Sequence, residues 1–123
     1  MKAKFAPSLL CMDLLHVQRQ IEVMNRRADY LHVDLMDLRF VKNMGLTPAF
    51  VRAIRPMAQK PIDCHIMGWD LEWWLPELAA AGADMLTPHL EALGEQKQLA
   101  ALSTFDNVLN TIILVFCLCH ICQ

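Results

Sequence analysis

The sequence predicts an α/β protein of parallel βα units, cut to about half of an eightfold barrel. Three observations predict it. Short apolar runs alternate with stretches of helical periodicity at a spacing of roughly thirty residues, the length of one βαβ step. Strand followed by helix at that spacing implies a parallel sheet. The 123 residues hold about four such units, whereas a closed barrel of this kind needs at least ~200 residues.

Phe5 to Leu10 is the first strand candidate, and Asp13 is placed to cap the helix that follows. Leu14, Val17, Ile21 and Met24 then fall on one helical face. Tyr30 to Met36 reads as the second strand. Pro48 to Met57 reads as a helix with Phe50, Val51 and Ile54 turned inward. Pro61 to Met67 is the third strand. Leu71, Trp74, Leu75 and Leu78 stripe a third helix that ends near Ala81-Gly82. Ala83 to Pro88 gives a short fourth strand, and Gly94 to Leu102 a weak fourth helix.

The division that follows is 1–102, half of a barrel, and 103–123, an atypical apolar and cysteine-rich tail. From Leu99 onward there is no Lys or Arg, and Val108 to Cys122 carries no charged residue. The run from Ile112 to Phe116 suits a fifth strand. A membrane span is the second reading, but the uncharged stretch falls short of the ~17–25 residues a spanning helix needs. Translation out of the ancestral reading frame is the third, and the favoured one, because the composition breaks abruptly. Exposed, such a segment would be prone to aggregate.

Composition excludes some partners. Hydrophobic residues make up 55% of the chain and charged residues 20%, with a net charge of −2. Arg26-Arg27 is a lone basic pair, so no nucleic-acid footprint is expected. The opening residues lack the roughly 7–15-residue apolar segment of a signal peptide. Five cysteines without regular spacing argue against a disulfide framework, which makes a reducing cytoplasm the expected location. Cys117, Cys119, His120 and Cys122 crowd too closely for a standard zinc spacing, and the bland reading is preferred there.

The stretch Leu31-His32-Val33-Asp34-Leu35-Met36-Asp37 carries the chemistry. Side chains alternate across a strand, so His32, Asp34 and Met36 share one face and Leu31, Val33 and Leu35 the other. An imidazole and a carboxylate inside a barrel are costly unless paired or metal-bound. Cys64-His65-Ile66-Met67 repeats the pattern, placing His65 and Met67 together. Two imidazoles and one carboxylate suit a divalent cation such as zinc, iron, manganese or cobalt. Ser8 adds a hydroxyl near the end of the first strand, and His89 is a further candidate at the end of the fourth. The bland alternatives are an internal His–Asp pair for His32 and Asp34, core filling for Met36 and Met67, and a loop cap for Asp37. His16, on a helix, is read as structural.

Ala6-Pro7-Ser8-Leu9-Leu10, His32-Val33-Asp34-Leu35-Met36-Asp37, Phe40-Val41-Lys42-Asn43, Asp63-Cys64-His65-Ile66-Met67 and Ala81-Gly82-Ala83-Asp84 follow one another in this order. In order and spacing they resemble the ribulose-phosphate 3-epimerase family over about residues 4 to 91. The run Pro7 to Leu15 is similar to the branch acting on D-allulose 6-phosphate. The resemblance implies a TIM barrel that inverts carbon 3 of a ketose phosphate. It implies His32, Asp34 and His65 as metal ligands, and Asp34 as one of two acid–base groups. Ser8, His65, Met36 and Met67 would contact or line the substrate.

Three departures accompany it. Leu38 stands where the family usually has Gly, and Gly68-Trp69-Asp70 replaces the usual loop after the His-x-Met element. The second acid and the phosphate-binding loops belong to strands that this sequence does not contain. The chain alone is therefore expected to be impaired or inactive as a 3-epimerase. The competing function is a non-catalytic metal-binding or self-associating half-barrel, since open sheet edges invite a second copy.

Overall fold

The computed structural model describes residues 3–93 and the backbone of 111–112. A parallel sheet runs in the order β1 (Leu31–Met36), β2 (Ile62–Met67), β3 (Met85–Pro88) and the two-residue β4 (Thr111–Ile112). Three α-helices alternate with the strands: α1 (Val17–Arg27), α2 (Pro48–Ile54) and α3 (Leu71–Ala81). The α/β class with a parallel sheet is thus present. The expected helix from Gly94 to Leu102 and the cysteine-rich end of the tail lie outside the described residues. Among the described residues, no helix is long and apolar enough to cross a membrane.

One sheet face and the helices enclose the core. Leu31, Val33 and Leu35 of β1 meet Ile62, Cys64 and Ile66 of β2, each of the six fully buried. Over them pack Ile21 of α1, Val51 and Ile54 of α2, and Leu71, Trp74, Leu75 and Leu78 of α3. The register pairs His32 with Asp63, Asp34 with His65 and Met36 with Met67. Every polar residue of one strand therefore sits beside a polar residue of the next, on the face away from the core.

The expected first strand, Phe5 to Leu10, is corrected to a single parallel bridge, Ser8 to His32. Pro7 has no N–H to give a ladder, so its carbonyl alone bonds the chain, accepting from His32 N at 3.3 Å. Ser8 Oγ then accepts from Leu10 N and turns the backbone into a 3₁₀ turn at Leu9–Cys11. Asp13 does cap, but it caps a second 3₁₀ turn, Leu14–His16, by accepting from Leu15 N. That turn rotates Leu14 out of the helical stripe, and the residue is exposed. The second helix is shorter than expected, ending at Ile54. Thr47 caps its start, and Pro56 lacks the N–H that would continue it.

Two junctions fix the strands against each other. Gly82 closes α3 at φ 96, a conformation that favours glycine, and a Cβ there would meet the Arg55 side chain at 2.7 Å. Arg55 reaches over it to Gly82 O at 3.1 Å and Asp84 Oδ2 at 2.7 Å, while Asp84 Oδ2 also accepts from Ile62 N. This lock sits at the N-terminal end of the strands. At the other end, Asp37 binds two loops at once. Its carboxylate accepts from the backbone N–H groups of Arg39, Phe40 and Trp69. The loop-capping alternative for Asp37 is what the structure holds.

Candidate metal centre

β1 and β2 carry His32, Asp34 and His65 on the face opposite the core, because each alternates with a buried aliphatic or Cys64. One ligand atom from each lies within 4.8 Å of the others, the one such trio among the described residues. Asp34 is the hub. Its Oδ1 lies 3.3 Å from His32 Nε2 and 3.1 Å from His65 Nδ1. Its Oδ2 accepts a hydrogen bond from Ser8 Oγ. Four residues that the sequence singled out are therefore brought together.

Behind each imidazole stands a partner on its other nitrogen. His32 Nδ1 lies 2.8 Å from Asp63 Oδ2, and Thr87 Oγ1 donates to Asp63 Oδ1 at 2.8 Å. His65 Nε2 lies 2.8 Å from His89 Nε2. His89 is buried and stands in a second layer rather than in the trio. Asp63 and Thr87 carried no role in the sequence reading. The signal was present, since alternation along Ile62-Asp63-Cys64-His65 puts Asp63 on the face of His65.

Electrostatics follow the geometry. Hydrogen bonds to Asp34 and Asp63 outweigh burial and push His32 up to about 9. Burial alone would raise Asp34, but hydrogen bonds from His32, His65 and Ser8 together hold it well below the usual carboxylate range. Burial, and the neighbouring His65, push His89 down. Cys64 lies on the core face, and burial pushes its thiol up, so it is inert packing rather than a ligand.

The wall around the centre is apolar and aromatic. Met36 and Met67 are register partners at the C-terminal end of their strands, and Met67, though buried, stands outside the aliphatic core cluster. Phe40 packs 4.9 Å from His89 and edge-on to Trp69 at 5.0 Å, both measured between ring centroids. The Gly68-Trp69 loop thus delivers an aromatic ring onto Phe40, which in turn packs on His89. A Cβ on Gly68 would meet the Trp74 ring at 2.6 Å, so the loop's close approach requires glycine there. His16 is exposed and paired with Asp13 at 2.6 Å, the structural part expected of it.

The donor set fits a divalent cation: two imidazoles and a carboxylate converge, and each imidazole has its second nitrogen engaged, as metal-binding histidines do. The profile of the Ribulose-phosphate 3 epimerase family matches residues 4–114. That span runs past residue 91, where the resemblance read from the motifs is expected to end, and takes in the β4 backbone. The chain is 40% identical over 87 residues to a ribulose-phosphate 3-epimerase of Synechocystis, covering 70% of this chain and 38% of that protein. It is 40% identical over 90 residues to the Bacillus subtilis enzyme of the same name, covering 72% and 42%. The Schizosaccharomyces pombe counterpart is 35% identical over 102 residues, covering 80% and 45%. The chain thus spans about two-fifths of the length of these curated relatives.

Proposed function

Since this chain belongs to the ribulose-phosphate 3-epimerase family, we propose that it carries the metal-binding half of a ketose-phosphate 3-epimerase site. His32, Asp34 and His65 hold the divalent cation, which is zinc, iron, manganese or cobalt. The observation that carries this reading is the convergence of those three side chains on one sheet face, within 4.8 Å. When bound, the cation stabilises the oxyanion that forms as a C–H bond beside a carbonyl is ionised.

The chain's own residues supply one face of the chemistry. Asp34, held ionised, is the acid–base group that exchanges the C3 proton on one face of the sugar. Ser8, bonded to its Oδ2, orients the carboxylate and offers a hydroxyl to the substrate. His65 contacts the substrate beside the cation. Met36 and Met67 line the position of the reacting carbons and exclude water with groups that neither donate nor accept strongly. Inversion also needs a second acid on the opposite face, which the resemblance places on a later strand. D-ribulose 5-phosphate is the substrate the relatives' names favour, and D-allulose 6-phosphate is the one favoured by the Pro7–Leu15 run.

Metal content and turnover measured on one purified, mass-verified sample test this. Stoichiometric metal that Asp34→Asn or His65→Ala removes supports the site. Turnover of either ketose phosphate names the substrate and shows that the chain or its assembly supplies the second acid. A folded chain with no metal sinks the reading. Metal without turnover in a monomer fits a half-site of His32, Asp34 and His65 that lacks its second acid, and equally the alternative of a metal-binding module without catalysis.

A further inference from the structure

This inference rests on the metal reading above. We propose that Asp63 and Thr87 are positioning residues of the centre: Asp63 holds the His32 ring by Nδ1, so that Nε2 is the nitrogen presented to the cation, and Thr87 holds Asp63.

The need for such a device is general. The outer torsion of a histidine is broad and roughly two-fold, so a half-turn about it puts Cδ2 in the place of Nδ1 and Cε1 in the place of Nε2 at little cost. A ring that turns over would present a carbon where Nε2 should be and carry Nδ1 to its other edge, so the cation would lose this ligand or meet it through the wrong nitrogen. Something must choose between the orientations, and the strand ladder supplies it. Asp63 is the register partner of His32, so the neighbouring backbone fixes where its carboxylate starts. Oδ2 then lies 2.8 Å from His32 Nδ1. The carboxylate could itself rotate, but its Oδ1 accepts from Thr87 Oγ1, also at 2.8 Å. Thr87 is buried and sits beside His65 in the β2–β3 register, so its hydroxyl is fixed by the third strand. One cross-strand chain, Thr87 to Asp63 to His32, thereby sets the ring plane.

Asp63 is not a fourth ligand in this arrangement. It engages the nitrogen of His32 that points away from Asp34, so the imidazole separates the two carboxylates. A carboxylate in that position also raises the basicity of the ligand nitrogen across the ring.

The test uses the full 123-residue chain with zinc as the probe. Competition against a chromophoric chelator gives the affinity of the wild type, Asp63→Ala, Asp63→Asn and Thr87→Val. Loss of an outer partner typically weakens a metal site by about 10–100-fold, which is expected for Asp63→Ala. Asp63→Asn keeps an acceptor oxygen and the shape, so it recovers part of that loss and keeps the test standing if the alanine variant does not fold. Thr87→Val removes one hydrogen bond at constant shape and is expected to weaken binding about 5-fold. Long-range proton–nitrogen correlation on zinc-loaded, ¹⁵N-labelled protein reads the bound nitrogen of His32. A purely structural role for Asp63 would lower stability without changing that nitrogen. Wild type bound through Nε2, with the Asp63 variants bound through Nδ1 or through both, supports the proposal. Unchanged affinity and an unchanged nitrogen in Asp63→Ala or Asp63→Asn overturns the positioning role alone. A wild type that binds no zinc overturns the metal reading, and this inference with it.

Discussion

The two faces of the β1–β2 strand pair are built on different rules. On one, Leu31, Val33, Leu35, Ile62, Cys64 and Ile66 are entirely buried. On the other, the side chains of His32, Asp34, Asp63 and His65 keep between 14% and 24% of their exposure. The aliphatic face needs only volume and shape, because apolar contact has no direction. The polar face must satisfy each donor and acceptor individually, because an unpaired polar group there is costly. So the first face decides whether the chain folds, and the second decides what the fold can hold.

The largest effect expected from that contrast lies on the aliphatic face. Leu35→Ala removes a fully buried side chain near the C-terminal end of β1. It should lower stability by about 2–5 kcal/mol in a urea titration, as core truncations do. Zinc affinity of the folded fraction should stay within about 2-fold, well below the shift of an outer-shell variant. A large change in affinity would mean that the two faces are not separable.

The polar face should show itself through pH, in protein kept metal-free with chelator. His32 is raised from 6.5 to about 9 in the fold. A raised group contributes stability that is complete below its unfolded value and disappears as pH climbs through the folded one. Stability should therefore fall between about 6.5 and about 9. Asp34 is lowered from 3.8, so its contribution is present above that value and is lost as pH falls beneath it. Asp34→Asn removes the hub and should flatten the acid limb. It should also move the alkaline limb towards lower pH, with Asp63 left as the remaining partner of His32. At neutral pH the variant should lose about 1–3 kcal/mol, less than Leu35→Ala. An alkaline limb unchanged in Asp34→Asn would show that Asp63 alone holds the imidazolium.

The aliphatic face was also the more legible in the sequence. Alternation from Leu31 to Met36 and the stripe Leu71, Trp74, Leu75, Leu78 point to buried residues directly, and the structure buries them. His32, Asp34 and His65 were legible for the same reason, since strand parity sets their face. What parity cannot give is the partner across the ladder. Asp63 and Thr87 became meaningful only once the register placed them beside His32 and His65. The first segment failed differently. Phe5 to Leu10 has the composition of a strand, but Pro7 cannot donate and Ser8 bonds its own local backbone, so hydrogen bonding overrode propensity.

The smallest effect lies in the loop where β1 leaves the sheet. Leu38 adopts φ 63, the left-handed region that disfavours a branched side chain, and half of its surface is exposed. The conformation is imposed from both sides: Asp37 accepts from the N–H groups of Arg39 and Phe40, and Leu38 N donates to Asn43 O at 3.3 Å. A non-glycine residue there costs about 1–2 kcal/mol. Glycine relieves that strain but loses more freedom on folding, by roughly 0.5–1 kcal/mol. Leu38→Gly should therefore raise stability by about 0.5–1 kcal/mol, the difference of the two. Leu38→Ala is the control, because it trims the exposed side chain yet keeps the backbone penalty, and it should gain nothing. Equal gains in both variants would trace the effect to the exposed leucine side chain instead. A gain confined to glycine would show that the loop capped by Asp37 stores strain in its backbone at Leu38.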